Sequence, residues 1–588
     1  MSPNYSPPPR PTRRRNRYLG WWLAGLGLVV FPGLIYLGYW YVKTSRFDWV
    51  IRRGQELLAN ARDPGTSDAA LRQWEAATSR YWQLDRERLI DRLLAFGPQS
   101  DLPSRRMLTY LAGVDYGTRE ADWDRWAAAR KRLLKGQSPK LDAKELVRLD
   151  ERWRADIGLT AWYSTILPID EQIYIASLGA GWEMPDDPAD GIVRVDGRSG
   201  DARIFFPIPA SEKTPRDVVG ISAGEDCLFA ALRNGSVYCV ERDGQVRWRS
   251  SAGGVPVSPP MSHDVNKDGY ADVLLTAATG RLVCLSGTTG KPLWNTVLGS
   301  PTDLAPTHFP VAIPPSLYVF LAIGDVTGGG AKEIVVTTGS GRFFVVNPSD
   351  GRVVWKHSGA YGFAAGGVQV SDKANERGAF FACDFQGQVW SITKGAREFA
   401  AVMRGYTPLP AEGGVAAALR TTPSGAQLLG GWLIAAGGDD EHDARVTLLG
   451  TPERDWVFTV PGMIATSPAI ADLNGDGAPE TVIASRPRLN TGQTPTLQIL
   501  SVGGHLLRRL NLAADVLAAP VVADVDGDGK VDLLIADSAG VLHCLATRQA
   551  GPISWGQFGG DIRNTRSARN AYEYSQIPSG YQWRWRPK

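Results

Sequence analysis

From residue 160 onward the chain repeats itself, and no other feature narrows its possible folds as far. A short apolar strand, a glycine turn, a second strand, another turn and often a tryptophan recur in that order. "CLFAALRNGSVYCVERDGQVRW" ends at Trp248, "VLLTAATGRLVCLSGTTGKPLW" at Trp294 and "IVVTTGSGRFFVVNPSDGRVVW" at Trp355. Weaker copies start at Ile173, Phe380, Trp432, Thr481 and Leu533. The units follow one another at roughly fifty-residue spacing, which indicates an array of one supersecondary unit.

Each unit fits four antiparallel strands. The second strand is apolar at every position rather than alternating, so both of its faces must be covered, as happens when sheets stack on either side. The expected fold is therefore an all-β, eight-bladed β-propeller, with seven blades as the alternative. Cys239, Cys284 and Cys544 each fall four residues after a turn glycine. Equivalent slots in different blades lie too far apart to bridge. The Asn234-Gly235 turn is expected to set Cys239 opposite Ala230 and to turn Cys227 to the other face, leaving all the cysteines as free, buried thiols.

Several of the repeats open on a run of carboxylates. "VVADVDGDGKVDLLIAD" places Asp524, Asp526, Asp528 and Asp532 around Gly529. Carboxylates this close repel one another unless a positive charge sits between them. Short alternating acids on a curled loop turn their oxygens inward, a hard-oxygen set suited to Ca²⁺, with the Lys530 carbonyl as a further ligand. The last acid comes at the ninth position and a strand follows it, so the loop is not an EF-hand. "HDVNKDGYADVLLTA" repeats the pattern with Asp264, Asn266, Asp268, Asp272 and the Tyr270 carbonyl. "ADLNGDGAPETVIAS" does so with Asp472, Asn474, Asp476, Glu480 and the Ala478 carbonyl. A degenerate copy keeps Asp325, Thr327 and Glu333 but has Gly329 in place of the third carboxylate.

These loops, and the strands after them, resemble FG-GAP (VCBS-type) repeats such as those of integrin α-subunit propellers. The "DGRVVW" and "TGKPLW" turns resemble the PQQ-like repeats of quinoprotein dehydrogenases. The resemblance covers about residues 160–565. It implies Ca²⁺ as the cofactor, held by the three full loops. "WGQFGGDIRNT", Trp555–Thr565, is similar to a segment found at the ends of such chains. Quinoproteins typically set two adjacent cysteines against their cofactor, and no two cysteines are adjacent here.

The rest of the chain divides by composition. Residues 1–17 are proline-rich and basic and are expected to be a disordered tail. Residues 18–42 carry no charge and have aromatic residues at both ends. As a helix they would span roughly 37 Å, enough for a single-pass transmembrane anchor. Arg10, Arg13, Arg14, Arg15 and Arg17 favour a cytoplasmic N-terminus, which sets the repeats outside the cytoplasm. Residues 43–159 show apolar positions three and four apart and are expected to be a helical stalk or docking region, "DAKELVRLDERWRADI" included. Residues 566–588 form a C-terminal tail. A net charge of +3 is too close to balance to argue for nucleic acid.

Loop length points to a binding surface on the face away from the carboxylate loops. Long connections there carry Trp182, Asp186, Asp187 and Asp190; His308; Asp439, Asp440 and His442; and Arg486 and Arg488. The function expected is a membrane-anchored, extracytoplasmic, Ca²⁺-binding platform for a protein or glycan ligand. A membrane-bound, PQQ-dependent oxidoreductase is the alternative. No catalytic constellation was found among the six scattered histidines.

Overall fold

The structure is a computed structural model that describes parts of residues 46–124 and most of residues 147–567. Breaks include 161–165, 180–189, 306–317, 327–330, 407–413 and 437–443. The tail 1–17 and the apolar stretch 18–42 lie outside the described residues. Among those described, no helix is long and apolar enough to cross a membrane.

The chain divides into two compact units. One comprises Met1–Leu111 with Asp115–Trp123, and the other Ala112–Val114 with Asp124–Lys588. The first is helical where it is described, with α1 over residues 46–58, α2 over Arg86–Ala95 and α3 over Leu102–Ala112. Phe47, Val50, Ile51, Leu89, Leu93, Met107 and Leu108 are buried, which is the amphipathic stripe expected of such helices. Trp74 is fully buried and donates its indole N–H to the Val50 carbonyl at 2.9 Å. Gly54 permits this packing, since a Cβ there would strike the Met107 sulfur at 2.1 Å.

The second unit is an all-β, propeller-like fold. Among the described residues it contains eight antiparallel sheets, all four-stranded except one of five strands. In chain order they occupy residues 166–207, 218–251, 261–297, 319–358, 367–406, 414–460, 469–511 and 521–546. We refer to them as the first to eighth sheets. The second strands Cys227–Leu232, Asp272–Ala277, Glu480–Ser485 and Asp532–Ala536 are buried at every position. Apolar clusters fuse neighbouring sheets: first with second, second with third, third with fourth, fourth with fifth, seventh with eighth, and eighth with first.

Two expectations need correction. Residues 150–156 are not helical; Asp150–Asp156 is the outer strand of the eighth sheet, antiparallel to Val541–Ala546. Burial alternates, with Trp153 and Ala155 inward. After the third strand of the eighth sheet the chain leaves it for residues 552–567, and this N-terminal segment supplies its fourth strand. The second is a register. Cys239 pairs with Phe229, not Ala230, because the hairpin turns through three residues with Gly235 at φ 92°. Cys227 therefore shares the face and the apolar cluster of Cys239. All five cysteines are free and buried.

At three junctions among the described residues the recurring tryptophan fastens one sheet to the next. Trp153 of the eighth sheet donates to the Gly197 carbonyl of the first, Trp248 of the second to Gly287 of the third, and Trp294 of the third to Pro348 of the fourth, each at 2.8 Å. Each ring lies on a turn glycine in the left-handed region: Gly200, Gly290 and Gly351. A Cβ at Gly290 would meet the Trp248 ring at 2.6 Å. Trp248→Ala is therefore expected to cost about 3–5 kcal/mol, the range for a buried large-to-alanine change. Thermal unfolding followed by circular dichroism checks it; an unchanged melting temperature refutes the fastening role.

Candidate cation loops and the central segment

The three full carboxylate loops all join the first to the second strand of a sheet, and they share one internal framework. The first acid caps the turn. Asp264 accepts the N–H groups of Asp268 at 3.2 Å and Gly269 at 3.0 Å. Asp472 accepts those of Gly475 at 2.7 Å and Gly477 at 2.9 Å, and Asp524 those of Gly527 and Gly529, both at 2.9 Å. The third-position residue accepts the N–H two residues on: Asn266 from Asp268, Asn474 from Asp476 and Asp526 from Asp528. The fifth-position acids accept from Tyr270, Ala478 and Lys530.

The last acid is the buried one. Asp272 and Asp532 are fully buried and Glu480 is 1% exposed. Each accepts the N–H of the loop's second residue: Val265 at 3.0 Å, Val525 at 3.3 Å and Leu473 at 2.7 Å. Burial pushes their pKa values up, to about 6 for Asp272, about 8 for Glu480 and about 7 for Asp532. A carboxyl buried among further carboxylates is a group for which a cation is the natural partner. The oxygens of Asp524, Asp526 and Asp532 lie within 4.8 Å of one another.

The degenerate loop keeps part of this framework. Glu333 Oε2 accepts the Val326 N–H at 3.1 Å, the same contact as in the full loops. Asp325 is half-buried, and Thr327 lies outside the described residues.

Of the residues proposed for the opposite face, Trp182, Asp186, Asp187, His308, Asp439, Asp440, His442 and Arg488 lie outside the described residues. Asp190 is no surface group. It opens the strand Asp190–Asp196, is 4% exposed and pairs with Leu178. That strand begins within what the sequence reads as loop. Arg486 is half-buried, with its backbone bridged to Met463 in both directions.

The feature that sequence reasoning did not place is the C-terminal segment 552–567. It runs along the first strands of several sheets and takes up their N–H groups. Pro552 accepts from Asp472, Gly556 from Val522, Ile562 from Ala223, Arg563 from Ser262 and Thr565 from Ile323, at 2.8–3.0 Å. Ile553–Trp555 adds a fifth strand to the seventh sheet. Trp555, Phe558 and Ile562 are buried. The Arg566 guanidinium sits 4.3 Å from the Phe558 ring centre and 5.3 Å from that of Phe320. Asp561, 1% exposed, accepts from the Arg563 and Thr565 N–H groups, and burial raises its pKa to about 6. Asn564 donates to the Ile221 and Pro260 carbonyls. Glu225 ties this segment to the carboxylate loop 264–272, accepting from Arg563 Nη2 at 2.6 Å and from the Ala271 N–H. The only sequence signal was the resemblance of this segment to other chain ends; nothing in its composition reveals a central position.

Comparison with known proteins finds PQQ-like repeat sequence within the chain. The family profile described as "Outer membrane protein assembly factor BamB" matches residues 233–310. Mouse "Protein FAM234B" is 31% identical over 137 residues, which cover 20% of this chain and 20% of that protein. The chain thus matches about a fifth of the length of that curated relative. BamB from Moraxella catarrhalis superimposes with a TM-score of 0.41 at 12% identity, over 68% of this chain and 100% of that one. Quinohemoprotein alcohol dehydrogenase from Comamonas testosteroni does so with a TM-score of 0.44 at 12% identity, over 78% and 84%.

Proposed function

We propose that this chain is a single-pass membrane protein that displays an eight-bladed propeller outside the cytoplasm, braced by Ca²⁺ on one face, as a binding platform for a protein or glycan ligand. The observation that carries this reading is the common hydrogen-bond framework of the three full loops, each with a buried acid beneath a ring of carboxylates. That architecture suits an FG-GAP-type calcium loop. The eight antiparallel sheets among the described residues support the eight-bladed reading, in which the N-terminal strand Asp150–Asp156 completes the last blade. Extracellular-type calcium loops bind at about 10⁻⁴–10⁻³ M and would stand largely empty in a cytosol, which supports placing them outside. The apolar stretch 18–42 supplies the anchor.

The quinoprotein alternative fits less well. A planar quinone needs a wide cavity and groups that tune its ring. Along the first strands of the second, third, fourth, seventh and eighth sheets, the chain's own residues 552–567 take the space and the backbone donors. No two cysteines are adjacent.

Protease added to intact cells or spheroplasts is expected to degrade the propeller while sparing a tag on the N-terminus. The reverse pattern would overturn the orientation and with it the calcium argument. A quinone absorption band in protein purified from its native membrane would favour the oxidoreductase instead.

A further inference from the structure

The loop 524–532 has the most acidic sequence of the three, yet it differs from its counterparts in a way that its own residues do not reveal. Arg152, on the strand contributed by the N-terminal side of the chain, reaches into it. Its Nη1 contacts Asp526 Oδ2 and lies 3.5 Å from Asp532 Oδ2; its Nη2 lies 3.7 Å from Asp528 Oδ2. One guanidinium thus touches three of the four acids. These are charge contacts, since Nη1 donates no aligned hydrogen bond. A second guanidinium, that of Arg198 in the first sheet, donates from Nε to the Asp526 carbonyl at 2.9 Å. Asp532 is fully buried and its Oδ1 accepts no hydrogen bond, so the loop offers an unmet oxygen next to the arginine. Among the described residues, no ion pair joins a basic side chain to Asp264, Asp268, Asp272, Asp472, Asp476 or Glu480. Those loops have no internal cation of this kind.

We propose that Arg152 is the resident cation of the loop 524–532. Ca²⁺ is then taken up by the loops at 264–272 and 472–480, and is excluded from 524–532 for as long as Arg152 is present. The inference deepens the reading of these loops as calcium sites and rests on it. The physical reason is tethering. Arg152 is fixed by the eighth sheet at a high effective concentration beside the carboxylates, whereas a free ion must be captured from solution. An entering Ca²⁺ would either sit against a positive guanidinium or expel it from its partners, and a guanidinium does not lose its charge. The same contact ties the strand that completes the eighth sheet to the loop between that sheet's first two strands.

The test counts calcium ions bound per full-length chain, in detergent, by equilibrium dialysis against ⁴⁵Ca²⁺. Arg152→Gln removes the charge and leaves a shorter, polar, unbranched side chain; it is expected to bind one ion more than the parent. Asp528→Asn in the parent background is expected to leave the count unchanged, while Asp268→Asn and Asp476→Asn each lower it by one. An unchanged count in Arg152→Gln, or a count lowered by Asp528→Asn, overturns the proposal while the calcium reading stands. No calcium bound by parent or variant overturns both. If Arg152→Gln fails to fold, the Asp528→Asn count decides on its own.

Discussion

Ending the chain after Gly551 is expected to prevent the propeller from reaching a stable fold. The truncation removes Trp555, Phe558 and Ile562 from buried positions, each worth about 1.5–3 kcal/mol of burial. It also strips partners from the N–H groups of Asp472, Val522, Ala223, Ser262 and Ile323 on the first strands of five sheets. Water entering the space would meet some of those donors, so the apolar loss dominates. That loss, about 5 kcal/mol or more, is comparable with the whole stability of many domains. The Glu225 carboxylate, which now accepts from Arg563, would lose its ion-pair partner next to the loop 264–272. The measurement is thermal unfolding together with limited proteolysis of the truncated chain. A synthetic peptide of residues 552–567 added in trans is expected to restore part of the lost stability. A truncated chain that melts like the parent would mean that the segment contributes nothing the sheets need.

What could be read from the sequence, and what could not, follows one physical division. Apolar runs covered on both faces, glycine turns and the tryptophan slot are local patterns with a fixed period, so the four-stranded sheets were legible from residue 160 onward. The carboxylate loops stand out for the same reason: each motif lies within nine residues, and its three full copies share one internal hydrogen-bond framework. Features that depend on residues far apart in the chain were not. The strand Asp150–Asp156 reads as helix because charged residues hide a period of two, and only the unfinished edge of the eighth sheet selects the extended form. Arg152 is one of many arginines until that strand aligns it with Asp526 and Asp532. Cys239 was misregistered by one residue because Asn234-Gly235 can close a two-residue or a three-residue turn, and sheet packing chooses between them. The central segment is composed like an ordinary glycine-rich tail.

Calcium is expected to raise the melting temperature of the parent protein and a chelator to abolish the increment, with the effect confined to the loops that lack an arginine. At 1 mM calcium and a Kd near 0.1 mM, each site contributes about 1.4 kcal/mol, so two independent sites give about 3 kcal/mol. Asp268→Ala and Asp476→Ala should each remove about half of the increment. Asp528→Ala should leave it in place, because that loop already has its cation. The increment should also depend on pH. Burial raises Asp272 to about 6 and Glu480 to about 8, so without the ion the folded state holds protons that the unfolded chain releases near pH 4. Stability without calcium therefore falls as pH rises from about 4 through those values. Ca²⁺ competes with the same protons, and its increment should be larger at pH 8 than at pH 6. In the degenerate loop, Glu333 already accepts the Val326 N–H as its counterparts do. Gly329→Asp supplies the missing carboxylate there and should add a further calcium-dependent share. Equal melting of the parent in calcium and in chelator, at both pH values, would mean that the carboxylate loops are acidic turns that hold no ion.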